Sequence, residues 1–120
     1  MKKILIIEDD VFLSNIYSKK FESEGYKVFF ALDGKKGLNL IKQKNPNIIL
    51  LDLMLPSMTG FEILEAMAKD KEIKNIPVIL LTNINDQDEI NRGYDFGVKD
   101  YVIKTFFTPS EVVEKVNKFV

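Results

Sequence analysis

The sequence predicts an α/β domain in which five parallel strands alternate with five helices. Two patterns support this prediction. Five short runs are apolar on both faces, as buried parallel strands are, and the segments between them repeat apolar residues with a helical period. Strands separated by helices are joined by right-handed crossovers and run parallel. The 120 residues suffice for one domain with a substantial core. Since the fifth predicted helix ends the sequence, we expect residues 1–120 to form a single domain with nothing left for a second module.

The first half of the chain supplies three of the strands. We predict them at residues 3–7, 27–31 and 47–52. The helix over residues 10–24 has Asp10 as its N-cap and ends at Gly25, a residue type common just beyond a helix C-terminus. Its inward face carries apolar residues at helical spacing, namely Leu13, Ile16, Tyr17 and Phe21.

The second helix begins after Asp33, which we predict as its N-cap. Leu38 and Ile41 form its inner face, and residues 45–46 (Asn-Pro) end it. The third helix opens with Thr-x-x-Glu at residues 59–62, a capping box, and extends to about residue 69. We expect its inward side to hold Phe61, Leu64 and Ala68.

The last part of the chain is predicted to form two strands, over residues 77–82 and 100–104. Between them, a second capping box at residues 86–89 starts a helix that runs to about Phe96 and stops at Gly97. A third box, Thr-Pro-Ser-Glu at 108–111, has proline at the first helical position. The helix that follows buries Val112, Val116 and Phe119.

Two adjacent phenylalanines precede this last helix. Phe107 stands just before the N-cap and Val112 at the fourth helical position, which is the spacing of a hydrophobic staple. We therefore interpret Phe106 and Phe107 as packing residues rather than as a partner site.

Composition excludes several classes of function. The chain has no cysteine and no histidine, which removes disulfides, thiol chemistry and the commonest zinc ligands. Any metal would therefore be a hard cation with oxygen ligands, such as Mg²⁺. The net charge is −1 and Arg92 is the only arginine, so we expect no direct nucleic-acid contact. With no long apolar run and no signal-peptide pattern, we expect a cytoplasmic protein that does not bind membranes.

The third predicted strand ends in a charge. Residues 48–56 form an apolar run that contains one carboxylate, Asp52. A buried carboxylate is unfavourable unless it is paired, bound to a metal or used chemically. Polar side chains also stand at the ends of three other predicted strands, namely Glu8, Asp9, Thr82 and Lys104. Because ligands of open parallel sheets bind beyond the carboxyl ends of the strands, we expect these residues to converge.

Such a cluster of carboxylates favours an ion and a phosphoryl group. Converging carboxylates repel each other, and Mg²⁺ relieves that repulsion while keeping positions open for phosphate oxygens. Asp52 can attack phosphorus to form an acyl phosphate, and Lys104 and Thr82 can contact the phosphoryl oxygens. No other acid or base is placed to hydrolyse a separate molecule. We therefore expect self-modification rather than an enzyme that turns over a substrate.

These motifs resemble the response-regulator receiver domains of two-component signalling, over essentially the whole chain. The matching segments are Ile-Leu-Ile-Ile-Glu-Asp-Asp (4–10), Leu-Asp-Leu-Met-Leu-Pro (51–56), Pro-Val-Ile-Leu-Leu-Thr (77–82) and Gly-Val-Lys-Asp-Tyr-Val-Ile-Lys (97–104). The resemblance, which is to chemotaxis-regulator-like members, implies a flavodoxin-like (βα)5 sandwich with strand order 2-1-3-4-5.

The resemblance also implies a role for each site residue. Asp52 would be the phosphoacceptor. The Mg²⁺ site would comprise Asp9 directly, Glu8 through water, Asp52 and the backbone carbonyl of Met54. The phosphoryl group would be contacted by Lys104 and Thr82 and by the backbone of Asn83. The switch pair would be Thr82 and Tyr101.

Partners follow from the same resemblance. The phosphoryl donor would be a histidine kinase, a His-containing phosphotransfer protein or a small molecule such as acetyl phosphate. The readout would be a shift of the face formed by the fourth helix, the fifth strand and the fifth helix toward a downstream protein. We expect a monomer or a weak phosphorylation-dependent dimer, because the last helix lacks the arginines that pair in the family's DNA-binding branch.

Two positions depart from the family pattern. Thr105 stands where the family usually has a proline joined by a cis bond, and we predict a trans bond between Lys104 and Thr105. Asn83 stands where a small residue is usual, and its amide either narrows the pocket mouth or bonds a phosphoryl oxygen. These departures leave one alternative open, a receiver-like binding module that is not phosphorylated.

Two apolar residues follow the site motifs. Met54 and Ile84 lie two positions beyond Asp52 and Thr82. We hypothesise that both hinder an attacking water and lengthen the life of the phosphorylated state. The test is the dephosphorylation rate of the double variant Met54→Asn, Ile84→Glu, and no acceleration would count against the hypothesis.

Overall fold

The structure, a computed structural model, describes residues 1–83 and 87–120. Within them, the strands are β1 Lys3–Ile7, β2 Lys27–Ala31, β3 Ile48–Asp52, β4 Val78–Thr82 and β5 Asp100–Ile103. The helices are α1 Val11–Ser23, α2 Gly34–Lys44, α3 Gly60–Ala68, α4 Gln87–Asp95 and α5 Pro109–Asn117. The predicted alternation of strands and helices is confirmed, with boundaries shifted by one to three residues at most.

The strands form one parallel sheet in the order β2-β1-β3-β4-β5, as expected. Because β1 lies between β2 and β3, the strand order reverses there, and ligand sites of open α/β sheets lie at such a switch point. The three strands β1, β3 and β4 are hydrogen-bonded side by side. Their carboxyl ends therefore lie next to one another at the same edge of the sheet.

Alternating strand residues belong to two hydrophobic layers, one on each face of the sheet, because successive side chains point to opposite faces. Ile4 and Ile6 pack with residues of α1 and α5 on one face. Leu5 and Ile7 pack with residues of α2 and α3 on the other. Every residue of β3 and β4 is buried, which accounts for the apolar sequence of each strand up to its polar last residue, Asp52 or Thr82.

The predicted helix caps are confirmed where they can be seen. Asp10 and Asp33 accept hydrogen bonds from the backbone at the starts of α1 and α2. Two complete capping boxes are present, Thr59 with Glu62 at the start of α3 and Thr108 with Glu111 at the start of α5. Gly25 and Gly97 follow α1 and α4 with φ of +91° and +90°. The expected N-cap of α4 lies at residue 86, outside the described residues.

The predicted inward face of α3 is wrong in part. Ile63 and Met67 are buried together with Leu64, whereas Ala68 is exposed. Phe61 is half-buried, and its ring lies 6.3 Å from that of Phe96, just after the end of α4. The spacing of apolar residues indicated a helix correctly, but α3 has apolar residues at more positions than one face can hold, so the spacing did not decide which of them face the sheet.

The interpretation of the two adjacent phenylalanines is also corrected. Phe107 packs against the cluster that contains Val112, as a staple requires. Phe106 is 69% exposed, since the turn before α5 directs it outward.

Among the described residues, no helix is long and apolar enough to cross a membrane.

Candidate functional site at the carboxyl end of the sheet

The side chains predicted to converge do lie around one cavity of about 410 Å³. Asp52 and Thr82 are the last residues of β3 and β4, and Lys104 follows directly after β5. The acidic turn after β1 contributes the rest of that set, Glu8 and Asp9, and the predicted helix cap Asp10 lines the cavity as well. Parallel pairing brings these residues together because it sets all the strand ends at one edge.

Lys104 bridges the two buried carboxylates of the cavity. Its Nζ donates a hydrogen bond to Oδ2 of Asp52 at 2.8 Å. The same nitrogen lies 2.5 Å from Oε2 of Glu8. The three side chains are nearly inaccessible, with exposed fractions of 9% for Lys104, 6% for Asp52 and 0% for Glu8. One ammonium thus faces two carboxylates, which leaves an excess of negative charge in the cavity.

Glu8 responds most strongly to this environment. Burial raises the pKa of Glu8 to about 7, and the charge of Asp52 adds to that effect, against the opposing contact with Lys104. Burial by itself would lower the pKa of Lys104, but its contacts with Asp52 and Glu8 raise it. Lys104 is therefore a permanent cation at neutral pH.

The acidic turn offers oxygen ligands of the kind that Mg²⁺ prefers. One carboxylate oxygen each from Glu8, Asp9 and Asp52 lies within 4.8 Å of the others. Glu8 Oε2 makes its ion-pair contact but no hydrogen bond of good geometry. Oδ1 of Asp10 instead accepts a hydrogen bond from the backbone N–H of Leu13. The donor set thus fits a hard divalent cation, with Asp10 as a helix cap.

The loop from β3 to α3 is held in place by its backbone. Gly60 approaches Asp52 so closely that a Cβ there would lie 2.6 Å from the Asp52 carbonyl oxygen. At the other side, Ser57 donates a hydrogen bond to Asp33 at the start of α2. The N–H of Met54 donates to Oδ1 of Asp52 at 3.1 Å. The loop therefore fixes one oxygen of Asp52 while Lys104 fixes the other.

Comparison with known proteins decides the family. The model of the response regulator receiver domain matches residues 4–117. The chain belongs to this family. Receiver domains are signalling modules rather than classical enzymes, and the acidic pocket is where they bind Mg²⁺.

Relatives of this receiver domain include transcriptional regulators. The DNA-binding dual master transcriptional regulator RpaA of Synechocystis is 41% identical over 88% of this chain and 44% of its own length. The phosphate regulon transcriptional regulatory protein PhoB of Rhizobium meliloti is 33% identical over 91% of this chain and 48% of its own. The chain thus spans about half the length of these curated relatives.

Solved structures agree with the fold. Chemotaxis protein CheY4 of Vibrio cholerae has a TM-score of 0.92 at 25% identity, with 100% of this chain and 99% of that chain covered. The receiver domain of Francisella response regulator 1452 has a TM-score of 0.90 at 31% identity, with 99% and 96% covered.

The remaining predicted site residues surround the same cavity or lie beside it. Thr82 is buried at its edge, and Asn83 and Thr105 line it with exposed side chains. No described peptide bond is cis, so the predicted trans bond before Thr105 is confirmed. Met54 also lines the cavity and is 72% exposed. Its hypothesised partner in shielding, Ile84, lies outside the described residues.

Tyr101 lies on β5, away from the cavity lining. It is half-buried, and its ring meets that of Tyr94 on α4 edge-on at 6.3 Å. Lys115 Nζ of α5 lies 5.9 Å from the same ring. Tyr101 therefore touches the two helices on either side of β5, and its role as a switch remains a prediction.

The sequence missed one acidic residue at the cavity. Glu89, on the first turns of α4, lines the cavity together with Asp9 and Met54. The sequence assigned Glu89 only to the capping box at residues 86–89, and the position of α4 beside the carboxyl end of the sheet brings it to the cavity. A signal existed in the capping-box pattern, which started the helix only a few residues after the end of the fourth strand.

Proposed function

We propose that this receiver domain accepts a phosphoryl group on Asp52 in a reaction that depends on Mg²⁺. The donor would be a phosphohistidine of a histidine kinase or of a His-containing phosphotransfer protein. The observation that carries the proposal is the buried cluster of Asp52, Glu8 and Lys104 at the carboxyl end of the sheet. A structural role alone does not explain two carboxylates buried around one ammonium, because such burial is unfavourable.

The chemical step uses groups that are already placed. A carboxylate oxygen of Asp52 attacks phosphorus and forms an acyl phosphate, while the bond from phosphorus to the donor nitrogen breaks and its electron pair stays on the donor. Asp9, Asp52, the Met54 carbonyl and, through water, Glu8 would hold Mg²⁺, and the ion would supply positive charge to neutralise the phosphoryl oxygens. The Met54 N–H and Lys104 hold the Asp52 carboxylate in a fixed orientation beforehand.

After transfer, the neighbouring groups would recognise the product. The Lys104 ammonium can exchange its contact with Asp52 for a phosphoryl oxygen. Thr82 and the backbone of Asn83 stand at the end of β4, where they can donate to other phosphoryl oxygens. When the Thr82 hydroxyl turns toward the phosphoryl group, it frees space for Tyr101 to turn inward.

The output would be a shift in the population of two states of the α4-β5-α5 face. Phosphorylation adds about −1.5 to −2 charge at Asp52. Tyr101 links β5 to α4 through Tyr94 and to α5 through Lys115, so a change in its position alters both helices. A downstream protein that binds one arrangement better then reads the phosphorylation state.

The kind of downstream partner depends on the whole protein. One relative is named a DNA-binding regulator, and the matching part is 44% of that protein. Within residues 1–120, arginine occurs only at position 92, and we propose that this domain signals through protein contacts rather than by touching nucleic acid. We propose further that it is a monomer or a weak dimer strengthened by phosphorylation.

The switch is tested with a stable mimic of the phosphoryl group. Amide hydrogen exchange is measured with Mg²⁺ and beryllofluoride for the wild type and for Asp52→Ala. We expect altered exchange in β4, α4, β5 and α5 of the wild type and none in the variant. Exchange that does not respond to the mimic in the wild type, or that responds equally in Asp52→Ala, would contradict the proposal.

A further inference from the structure

A second cavity, of about 650 Å³, adjoins the Asp52 cavity. It is lined by the β3–α3 loop, by α3 and by α4, and we name it the α3–α4 groove. The two cavities share four lining residues, namely Asp9, Leu53, Met54 and Glu89. Open space therefore continues from Asp52 past the exposed Met54 side chain into the groove.

The floor of the α3–α4 groove is apolar. Leu53 and Leu55 are buried beneath it, and Phe61 is half-buried on the α3 side. The guanidinium of Arg92 on α4 lies 4.1 Å from the centroid of the Phe61 ring. This cation–π contact joins the two helices across the groove. With Met54 72% exposed at its end, the groove offers apolar surface that another molecule can cover.

The walls of the groove are acidic. Among its described lining residues are four carboxylates, Asp9, Glu62, Glu65 and Glu89, and a single cation, Arg92. The excess of three negative charges is local, because the whole chain carries only −1. Glu65 pairs with Lys69 at 3.5 Å, but both side chains are largely exposed and such pairs open at little free-energy cost.

We propose that the α3–α4 groove docks a segment of a partner protein that presents an apolar side chain flanked by lysine or arginine. The apolar floor takes the anchor, and the acidic walls attract the flanking cations. The groove volume lies in the range of sites that bind a few side chains or a drug-sized ligand. This recognition follows the mode in which an amphipathic segment lies in a groove. It concerns a surface and not the phosphoryl chemistry, so it goes beyond the proposed function.

The experiment uses a short fluorescent peptide in which leucines alternate with lysines, and a second peptide with glutamate in place of lysine. Binding to the unphosphorylated protein is measured by fluorescence anisotropy at physiological salt. We expect the lysine peptide to bind and the glutamate peptide not to bind. Glu65→Lys should weaken binding about fivefold or more, because it reverses one wall charge.

Matched variants separate the groove from general attraction. Glu114→Lys makes the same charge change on exposed α5, on the opposite face of the sheet, and should leave the affinity unchanged. Met54→Ser removes the apolar end of the groove at an exposed position and should weaken binding of the leucine-containing peptide. Thermal melting confirms that each variant is folded.

Three results would overturn the proposal. The first is equal loss of affinity in Glu65→Lys and Glu114→Lys, which indicates attraction to overall charge. The second is binding of the glutamate peptide as tightly as the lysine peptide. The third is self-association of the wild type that Glu65→Lys abolishes, since the occupant is then another copy of this chain. Because no readout involves phosphorylation, failure here leaves the proposed function standing.

Discussion

Lys104 and Asp52, which are 52 positions apart in the sequence, form a buried ion pair with 2.8 Å between Nζ and Oδ2. Glu8 completes the cluster from the other side of Lys104. The arrangement offsets part of the unfavourable burial of the two carboxylates with one ammonium. It also supplies the cation that the proposed phosphoryl group would meet.

Lys104→Met removes the only described cation within ion-pair distance of Glu8 and Asp52. Two buried carboxylates then face each other, and we expect the free energy of unfolding in metal-free buffer to fall by about 3 kcal/mol. The control is Lys115→Met, which breaks a more exposed pair with Asp100 and should cost less than about 1 kcal/mol. Urea denaturation measures both. Equal losses of unfolding free energy in the two variants would contradict a larger contribution of the buried cluster to stability.

Gly34→Ala tests the link between α2 and the β3–α3 loop. A Cβ at position 34 would lie 1.8 Å from the carbonyl oxygen of Met58, so the backbone must move. We expect the free energy of unfolding to fall by about 3 kcal/mol, so that less of the protein is folded at equilibrium. The control is Gly25→Ala, where space is open and only the positive φ opposes the side chain, at about 1–2 kcal/mol. A smaller loss for Gly34→Ala than for Gly25→Ala in chemical denaturation would contradict the packing.

Asp33 should make the stability of this domain fall as the pH is lowered into the acid range. The backbone N–H of Lys36 lowers the pKa of Asp33 below its ordinary value near 3.8, and the hydroxyl of Ser57 adds to the effect. Stability from a lowered pKa is present above the unfolded value and is lost as pH falls through the folded one. Asp33→Asn keeps the capping oxygen without the charge.

We therefore expect the wild type to melt at a higher temperature than Asp33→Asn at neutral pH. The difference should vanish as the pH falls below about 3.8 and through the lower pKa of the folded protein. Thermal melting over a pH series measures this difference. A gap that stays constant down to the lowest pH would mean that the Asp33 charge does not contribute.

Magnesium should raise the melting temperature of the wild type, because a ligand that binds only the folded state stabilises it by mass action, by about 2.7 kcal/mol at one hundred times Kd. Asp9→Ala should abolish the rise, since Asp9 offers one of the three clustered oxygens. Asp10→Asn is the matched control, as its side chain caps α1 and should leave the rise intact. A rise that persists in Asp9→Ala would contradict the assignment.

Much of the fold could be predicted because local signals agree with it. The buried strands are continuous apolar runs, and the helix starts carry their own caps, as Thr59 and Thr108 show. The convergence of Asp52, Thr82 and Lys104 followed from their positions at strand ends. What failed was the direction of side chains at exposed or apolar-rich positions, such as Ala68 and Phe106.

The contacts between distant elements could not be read from the sequence. Lys104 contacts both Asp52 and Glu8 because its side chain extends from the end of β5 past the end of β4 to those of β3 and β1. The sequence does not show how far that side chain extends. The approach of Glu89 to the cavity and the stacking of Arg92 on Phe61 depend on where α4 crosses α3. Helix periodicity gives the face of a helix but not its neighbour in space.

The most direct test of the central claim is the intact mass of the protein after incubation with Mg²⁺ and acetyl phosphate. We predict a gain of one phosphoryl group for the wild type, which is lost at alkaline pH as an acyl phosphate is, and no gain for Asp52→Ala. A gain in Asp52→Ala equal to that of the wild type, or a folded wild type that gains nothing, would contradict Asp52 as the phosphoacceptor.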